Sequence, residues 1–417
     1  MRLTNARVPG PLLESPDEPL KLVDIVLDGD RIALVEPASG GAPADGNVDC
    51  DGGIVLPAFV DMHTHLDKGH IAPRAPNPDG TFASALATVG DDSAAHWTAA
   101  DVAARMEFAL RCAYAHGTAS MRTHIDSQEG QLEISWPVFA DMKSRWAERI
   151  TLQGASLTGI DRLPADIPRL FDVVTAHGGM VGAVLYPVPQ LREGVRALME
   201  EAEARGLDID FHVDEALNPQ SNCLSVVAEE ADRIGFSGTV TCGHCCSLMV
   251  MDESEADRTL DAVAAAGLCV VSLPLCNLYL MDRDAGAQRT PRIRGGTLVH
   301  EMAARGIKVA FASDNTRDPF YAFGDLDMLE VWRVAKRVMH LDHPVGDWPR
   351  TVNAAPAAIM GLPDRDAVAP GAPADLILTR ARDYSELFSR PHADRTVIRH
   401  GQKVDAAPPD YRELDPL

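Results

Sequence analysis

LPAFVDMHTH, residues 56–65, is an apolar run that ends in two histidines one residue apart. Side chains two apart on a strand share a face, so a strand here aims His63 and His65 at one centre. Seven further runs have the same character: TASMRTHID (118–126), RITLQGASL (149–157), MVGAVLYP (180–187), DIDFHVDE (208–215), TVTCGHCC (239–246), CVVSLPLCN (269–277) and VAFASDNT (309–316). Between them lie stretches rich in Ala, Leu, Glu and Arg, such as WTAADVAARMEFALRCAYAHG, LREGVRALMEEAEARG and DESEADRTLDAVAAAG. Their apolar residues recur at three-to-four spacing, and several end in the Gly that suits a helix C-cap. Strands alternating with helices imply parallel pairing and an α/β fold. Eight such units predict a closed (β/α)8 barrel of the TIM type. An open doubly wound sheet is the rival, and the G-x-G-x-x-G loop that often marks it is absent.

The ends of the chain read differently. Residues 1–55 and 365–417 hold short strand-like runs, with LDGDRI and RHGQKV as hairpin turns. They predict a small β-sandwich-like domain built from both termini, around a catalytic barrel at 56–364. The tail DAAPPDYRELDPL is expected as a surface arm. Residues 66–94, with APRAPNPDG inside, are expected as a long loop over the barrel mouth. A chain of 417 residues, 46% hydrophobic and 24% charged, can bury a core of this size. The net charge of −23 repels phosphate backbones and argues against nucleic acid as a partner. No apolar run approaches the roughly 18 residues of a membrane span. The start, MRLTNARVPG, lacks a signal-peptide core. Eight irregularly spaced cysteines do not resemble a disulfide framework, so a reducing cytoplasm is the expected location.

A barrel of this kind carries its active site at the C-terminal ends of its strands. Those ends hold His63 and His65, His124, His212 and Glu215, His244, and Asp314, with Gln153 on the third strand. Imidazole nitrogens suit zinc or ferrous iron, and one carboxylate balances charge. His63, His65, His212 and Asp314 therefore form a candidate four-ligand set for one divalent ion, Zn or Fe. Such an ion lowers the pKa of a water to about 7. Glu215, three residues after His212, is placed to shuttle protons. His244 is placed to hydrogen-bond the attacking oxygen. A lone H-x-H is commonly incidental; the coincidence of four ligand types at strand ends one, five and eight is what carries the reading. His96, His116, His177, His300, His340 and His392 read as ordinary helix, loop or tail residues. HLDKGH also brings Asp67, Lys68 and His70 towards the mouth. Lys68 reads either as half of a surface salt bridge or as a contact to an anionic or carbonyl-rich substrate group. CGHCC (242–246) contains C-x-x-C, but a redox pair normally sits at a helix N-terminus. On a strand Cys242 and Cys245 point opposite ways, so these cysteines read as small core hydrophobes.

LPAFVDMHTHLDK (56–68), FHVDE (211–215), GHCCSL (243–248) and ASDNTRDPFYAFGDLDML (312–329) resemble the amidohydrolase superfamily, and most closely its cytosine deaminase branch. The resemblance spans nearly the whole chain. It implies one metal on His63, His65, His212 and Asp314, a proton shuttle at Glu215, and His244 positioning the nucleophile; Asp314 is expected to act in catalysis too, orienting the attacking oxygen with His244 and helping to move its proton. It implies that Gln153 reads the pyrimidine edge; His124, in RTHID, reads either as a pocket-lining residue or as a structural one. The family commonly has Asp-Asp at the metal Asp and Trp after Asp-Pro; here Asn315 and Phe320 stand there, and Phe320 can still stack on a flat ring. Strand 4 offers no lysine to bridge two metals, which favours a mononuclear deaminase over a cyclic-amide hydrolase. The expected reaction is hydrolytic deamination of a small nitrogen heterocycle, cytosine or a close analogue. Isocytosine, creatinine-like rings, aminotriazines and cyclic amides are the alternatives. The intact Glu215 favours the pyrimidine side over relatives that strip alkylamines from triazines. Homo-oligomer formation is compatible with the resemblance, and the sequence marks no interface.

Overall fold

The computed structural model describes the chain apart from residues 14, 16, 41–45, 164, 285, 287, 288, 366, 392, 393 and 416. His392 thus lies outside the described residues. The chain divides into two compact units. One comprises Met1–Asp61, Arg111–Ser120 and Asp327–Pro408; the other comprises Met62–Leu110, Met121–Leu326 and Pro409–Leu417.

The first unit is built on two four-stranded sheets. In one, Arg2–Pro9 lies between Leu20–Asp28 and Val48–Asp49, and Arg31–Pro37 forms the far edge. In the other, Leu376–Leu378 lies between Val55–Pro57 and Thr396–Arg399, followed by Gln402–Lys403. LDGDRI and RHGQKV are hairpin turns here, with Gly29 and Gly401 at φ 58° and 72°, where glycine carries no Cβ penalty. Leu56 and Pro57 pair with Ile377 and Leu376. The opening residues of the LPAFVDMHTH run therefore belong to this sheet, and the barrel strand starts at Phe59.

The barrel strands are β1 (Phe59–Thr64), β2 (Thr118–Asp126), β3 (Thr151–Leu157), β4 (Val184–Leu185), β5 (Ile209–Val213), β6 (Val240–His244), β7 (Cys269–Ser272) and β8 (Lys308–Phe311). β1 to β3 form one sheet and β4 to β8 another. Parallel bridges Gly159–Val184 and Thr64–Asp314 join them on both sides and close the ring. Just before β4 the chain runs tight against β5: a Cβ on Gly182 would fall 2.0 Å from the Asp210 carbonyl oxygen. Phe211, Val270 and Phe311 are fully buried on these strands, each worth about 2 kcal/mol of transfer free energy.

Helices of this layer include α1 (Phe82–His96), α2 (Ala99–His116), α3 (Leu132–Trp146), α4 (Ile167–Ala176), α5 (Leu191–Arg205), α6 (Cys223–Ile234), α7 (Glu253–Ala265) and α8 (Pro274–Leu280). Two of them correct the sequence reading. Residues 66–94 are not an irregular loop throughout, because α1 occupies the second half, N-capped by Thr81, whose side chain accepts from the Ser84 N–H. Its Gly90 and Asp91-Asp92 mask the helical pattern. CVVSLPLCN is not all strand: Pro274 ends the strand-like run and sits in the first turn of α8, where its missing N–H costs nothing. The tail, expected as a surface arm, is anchored at Tyr411. The Tyr411 hydroxyl donates to Asp325 Oδ1 at 2.7 Å, and the Arg317 guanidinium lies 4.1 Å from its ring centre. No helix among the described residues is long and apolar enough to cross a membrane.

Candidate active site

β1, β5 and the segment just after β8 bring four donors close together. His212 Nε2 lies 3.1 Å from His63 Nε2 and 3.2 Å from His65 Nε2. Asp314 Oδ1 lies 3.2 Å from His65 Nε2 and 3.6 Å from His63 Nε2. A tetrahedral ion with bonds of about 2.0–2.1 Å leaves its ligands about 3.3–3.4 Å apart. These four distances scatter about that spacing, and His63, His65 and Asp314 offer one donor atom each within 4.8 Å of one another. Burial holds all three imidazoles well below their ordinary pKa, which keeps the nitrogen lone pairs free. Three rings presenting Nε2 to one another cannot satisfy themselves by hydrogen bonds alone, whatever their tautomers. Asp314 reaches the cluster because its backbone turns left-handed (φ 66°) just past β8, while its N–H bonds the His63 carbonyl at 2.9 Å. Such a conformation costs a non-glycine residue about 1 kcal/mol or more and is fixed here by that cross-strand bond.

Glu215 follows β5 and places Oε1 3.4 Å from His244 Nδ1. Burial, reinforced by Asp314, raises the Glu215 pKa well above the carboxylate range. His244, at the end of β6 with φ 69°, is buried and held neutral, its pKa pushed down to about 3 by burial. The Asn277 amide on α8 lies 3.1 Å from His244 Nδ1. Asn277 escaped the sequence reading, because it stood at the end of an apparent strand.

A cavity of 980 Å³ opens beside this cluster, and His65, His212, Glu215, Asn315, Phe320 and Lys68 share in its wall. His63, His244 and Asp314 do not line it. Asn315 Nδ2 donates to Asp318 Oδ2 at 2.7 Å, which anchors the loop carrying Phe320. Asp318 also accepts the N–H groups of Phe320 and Tyr321, and burial pushes its pKa up to about 6. Lys68 is not a surface residue: its side chain is 6% exposed and Nζ lies 3.0 Å from Asp126 Oδ1, also on the cavity wall. Burial opposes the Lys68 charge, but Asp126 and Asp67 outweigh it and raise its pKa. Asp67 accepts the Asp126 N–H at 2.9 Å, and burial beside Asp126 pushes its own pKa up to about 7. His70 packs against Phe108 with ring centres 4.9 Å apart; neither Asp67 nor His70 lines the cavity.

A model of the amidohydrolase family matches residues 171–405. A pterin deaminase of Rhizobium rhizogenes (strain K84 / ATCC BAA-868) is 49% identical over 420 residues, covering 99% of this chain and 95% of its own. The chain belongs to the amidohydrolase family. A more distant relative, the N-isopropylammelide isopropyl amidohydrolase of Pseudomonas sp. (strain ADP), is 22% identical across 85% of this chain and 86% of its own. The crystal structure of 5-methylcytosine deaminase from Klebsiella pneumoniae liganded with phosphonocytosine matches this amidohydrolase with a TM-score of 0.84, at 26% identity over 98% of each chain.

Two expected substrate contacts of this amidohydrolase lie elsewhere. Gln153 is the third residue of β3, short of its C-terminal end, and its Oε1 accepts from Arg122 Nε (3.1 Å) and Nη2 (3.0 Å). Arg122 in turn bonds Asp210 at 2.6 Å, so Gln153 belongs to a polar cluster on the barrel strands. At the β3 end the cavity is lined by Leu157, Thr158 and Gly159 instead. His124 is fully buried beside the candidate ligand histidines, its ring 4.0 Å from that of His63 and 4.5 Å from that of His212, and does not line the cavity. Its Nε2 lies 3.6 Å from Asp210 Oδ1. In CGHCC, Cys242, Cys245 and Cys246 are fully buried, and burial pushes each thiol well up, away from the reactive thiolate.

Proposed function

We propose that this amidohydrolase is a metal-dependent hydrolytic deaminase acting on a fused two-ring amino heterocycle of the pterin kind, rather than on cytosine. The observation that carries the reaction class is the four-donor cluster, two of whose members, His65 and His212, share the wall of a substrate-sized cavity with Glu215. The size of that cavity supports the larger ring: 980 Å³ sits at the top of the roughly 300–1,000 Å³ range of pockets that enclose drug-sized ligands, far beyond one six-membered ring. The near-full-length 49% identity to a pterin deaminase supports the same choice.

His63, His65, His212 and Asp314 would hold one divalent ion of the zinc or ferrous type. When bound, such an ion lowers the pKa of a water to about 7 and so supplies a nucleophile at neutral pH. β4 carries no lysine to bridge a second ion, which supports one per chain. Glu215 takes the first proton of the attacking water and delivers it to the ring nitrogen, then takes the second from the added oxygen and delivers it to the leaving amine. His244, held by Asn277, orients the attacking oxygen. Phe320 packs on the flat ring, and Lys68 donates to a ring carbonyl. The ring carbon exchanges its exocyclic amine for the water oxygen; ammonia leaves and a ring carbonyl remains.

The test is ammonia release from pterin, cytosine, isocytosine and an aminotriazine by metal-loaded enzyme, with Glu215→Gln as control. Release from pterin at a kcat/KM at least tenfold above the single rings supports the reading. Faster release from cytosine, or activity that survives Glu215→Gln, overturns it.

A further inference from the structure

We infer that the substrate carries an apolar substituent beyond its reacting rings, and that helix α1 selects for it through Leu86 and its neighbours. The inference rests on the deaminase reading and extends it to substrate specificity. Phe82, Leu86, Val89, Gly90, Ser93 and Ala94 all line the cavity. Their spacing of three and four residues puts them on one face of α1. Leu86 is 56% exposed, a large apolar side chain that the fold itself leaves uncovered. Ile134 of α3 adds to the same apolar wall. The cavity thus has a polar end with His65, His212, Glu215 and Lys68, a second polar stretch with Gln128, Glu129, Asp161 and Arg162, and between α1 and Ile134 an apolar gallery that no step of the deamination uses.

The gallery wall is fixed in place. Arg74 forks between two carboxylates, bonding Asp92 at 2.9 and 3.0 Å and Asp101 at 2.6 and 3.1 Å. Trp97 Nε1 donates to Asp92 Oδ2 at 2.8 Å, which ties down the end of α1. Asn77 Nδ2 donates to the Pro319 carbonyl at 2.9 Å, and the Phe82 and Phe320 rings meet edge to face with centres 5.3 Å apart. The stacking residue and the gallery are therefore held in one frame. A wall with preset geometry binds an apolar group without first paying to order itself.

A steric probe is available in Gly90. A Cβ there meets nothing within 4 Å, so a large side chain enters open space, and replacing a mid-helix glycine favours the helix. The experiment compares pterin with 6-phenylpterin in the wild type, Gly90→Phe and Leu86→Ser. Steady-state kcat/KM is read on the metal-loaded enzyme, and binding by pterin fluorescence on the Glu215→Gln background, which needs no turnover. The wild type should favour the phenyl compound by roughly tenfold or more, the usual scale for an apolar group entering a fitted pocket. Both substitutions should cut that ratio by about tenfold, chiefly through KM. Equal kcat/KM and equal binding of the two pterins in the wild type, or a ratio that Gly90→Phe leaves intact, overturns the inference. If neither pterin is deaminated but the phenyl compound still binds better in a Gly90-dependent way, the gallery stands and the pterin deaminase reading falls.

Discussion

Glu215 is a carboxyl with two opposing influences. Burial and Asp314 favour its neutral form, whereas a cation held by the neighbouring donors favours the charged one. A proton shuttle needs that balance, because it must both take and release a proton near the working pH. Glu215→Gln keeps the shape and removes the titration. We expect kcat to fall by about 10²–10⁴-fold while metal content, measured by atomic emission, stays at the wild-type value. A loss of metal in the same variant would instead make Glu215 a ligand. The cysteines present the reverse case, since burial disarms them. All eight are free, and seven are buried, Cys50 being half-buried. Iodoacetamide should leave Cys242, Cys245 and Cys246 unmodified in the native enzyme and label them after denaturation, as read by mass spectrometry. Fast native labelling of Cys242 or Cys245 would reopen the redox reading.

Elements matter here through how closely they approach. Gly243, in the middle of β6, lies under the His63 ring; a Cβ there would sit 2.8 Å from His63 Cε1 and 3.1 Å from Nδ1. The ring has His124 packed 4.0 Å away and little room to retreat. Gly243→Ala should therefore tilt His63 out of the donor set and lower bound metal well below one ion per chain, with secondary structure by circular dichroism unchanged. Full metal occupancy in that variant would show that the ring has slack. On the outer layer, Glu230 of α6 is the shared anchor of three arginines: Arg196 Nε at 3.0 Å, Arg233 Nε at 2.7 Å and Arg192 Nη1 at 2.9 Å. These bonds, Arg196 foremost, pull its pKa down to about 2. A carboxyl whose folded pKa is depressed adds stability above its unfolded pKa of about 4.3, and that stability is lost as pH falls towards 2. Discounting for the half-exposed arginines, Glu230→Gln should cost on the order of 2 kcal/mol at pH 7. In urea titrations the gap between variant and wild type should close progressively from about pH 5 to pH 2. A pH-independent gap would assign the cost to packing instead.

Across the whole molecule, the candidate ligands come from β1, β5 and the end of β8, so one ion would staple segments that lie far apart in the chain. Chelation should abolish activity and lower the melting temperature. Binding at a thousandfold excess over Kd is worth about 4 kcal/mol. One equivalent of zinc or ferrous ion per chain should restore both; a requirement for two would point to the cyclic-amide hydrolase alternative. The legible parts of the fold were those written in local periodicity. The eight strand–helix units, the HTH pair, FHVDE and the Asp after β8 each announce themselves within a few residues. Gln153 was misplaced because its depth along β3 depends on where pairing with the neighbours starts and stops. α1 was missed because Gly90 and the Asp pair break its apolar pattern, and Asn277 because Pro274 turns an apolar run from strand to helix.

By itself, the sequence determined the barrel repeat and the family resemblance and put the candidate donors and the candidate acid–base carboxylate at strand ends, because strand period and motif spacing are properties of neighbouring residues. Only the tertiary structure decided which side chains reach the cavity. Lys68 became a buried wall residue, His124 and Gln153 left the substrate list, and α1 entered as a wall. That division has a physical cause: a side chain's direction follows from its own strand or helix, whereas the space it faces is set by elements a hundred or more residues away.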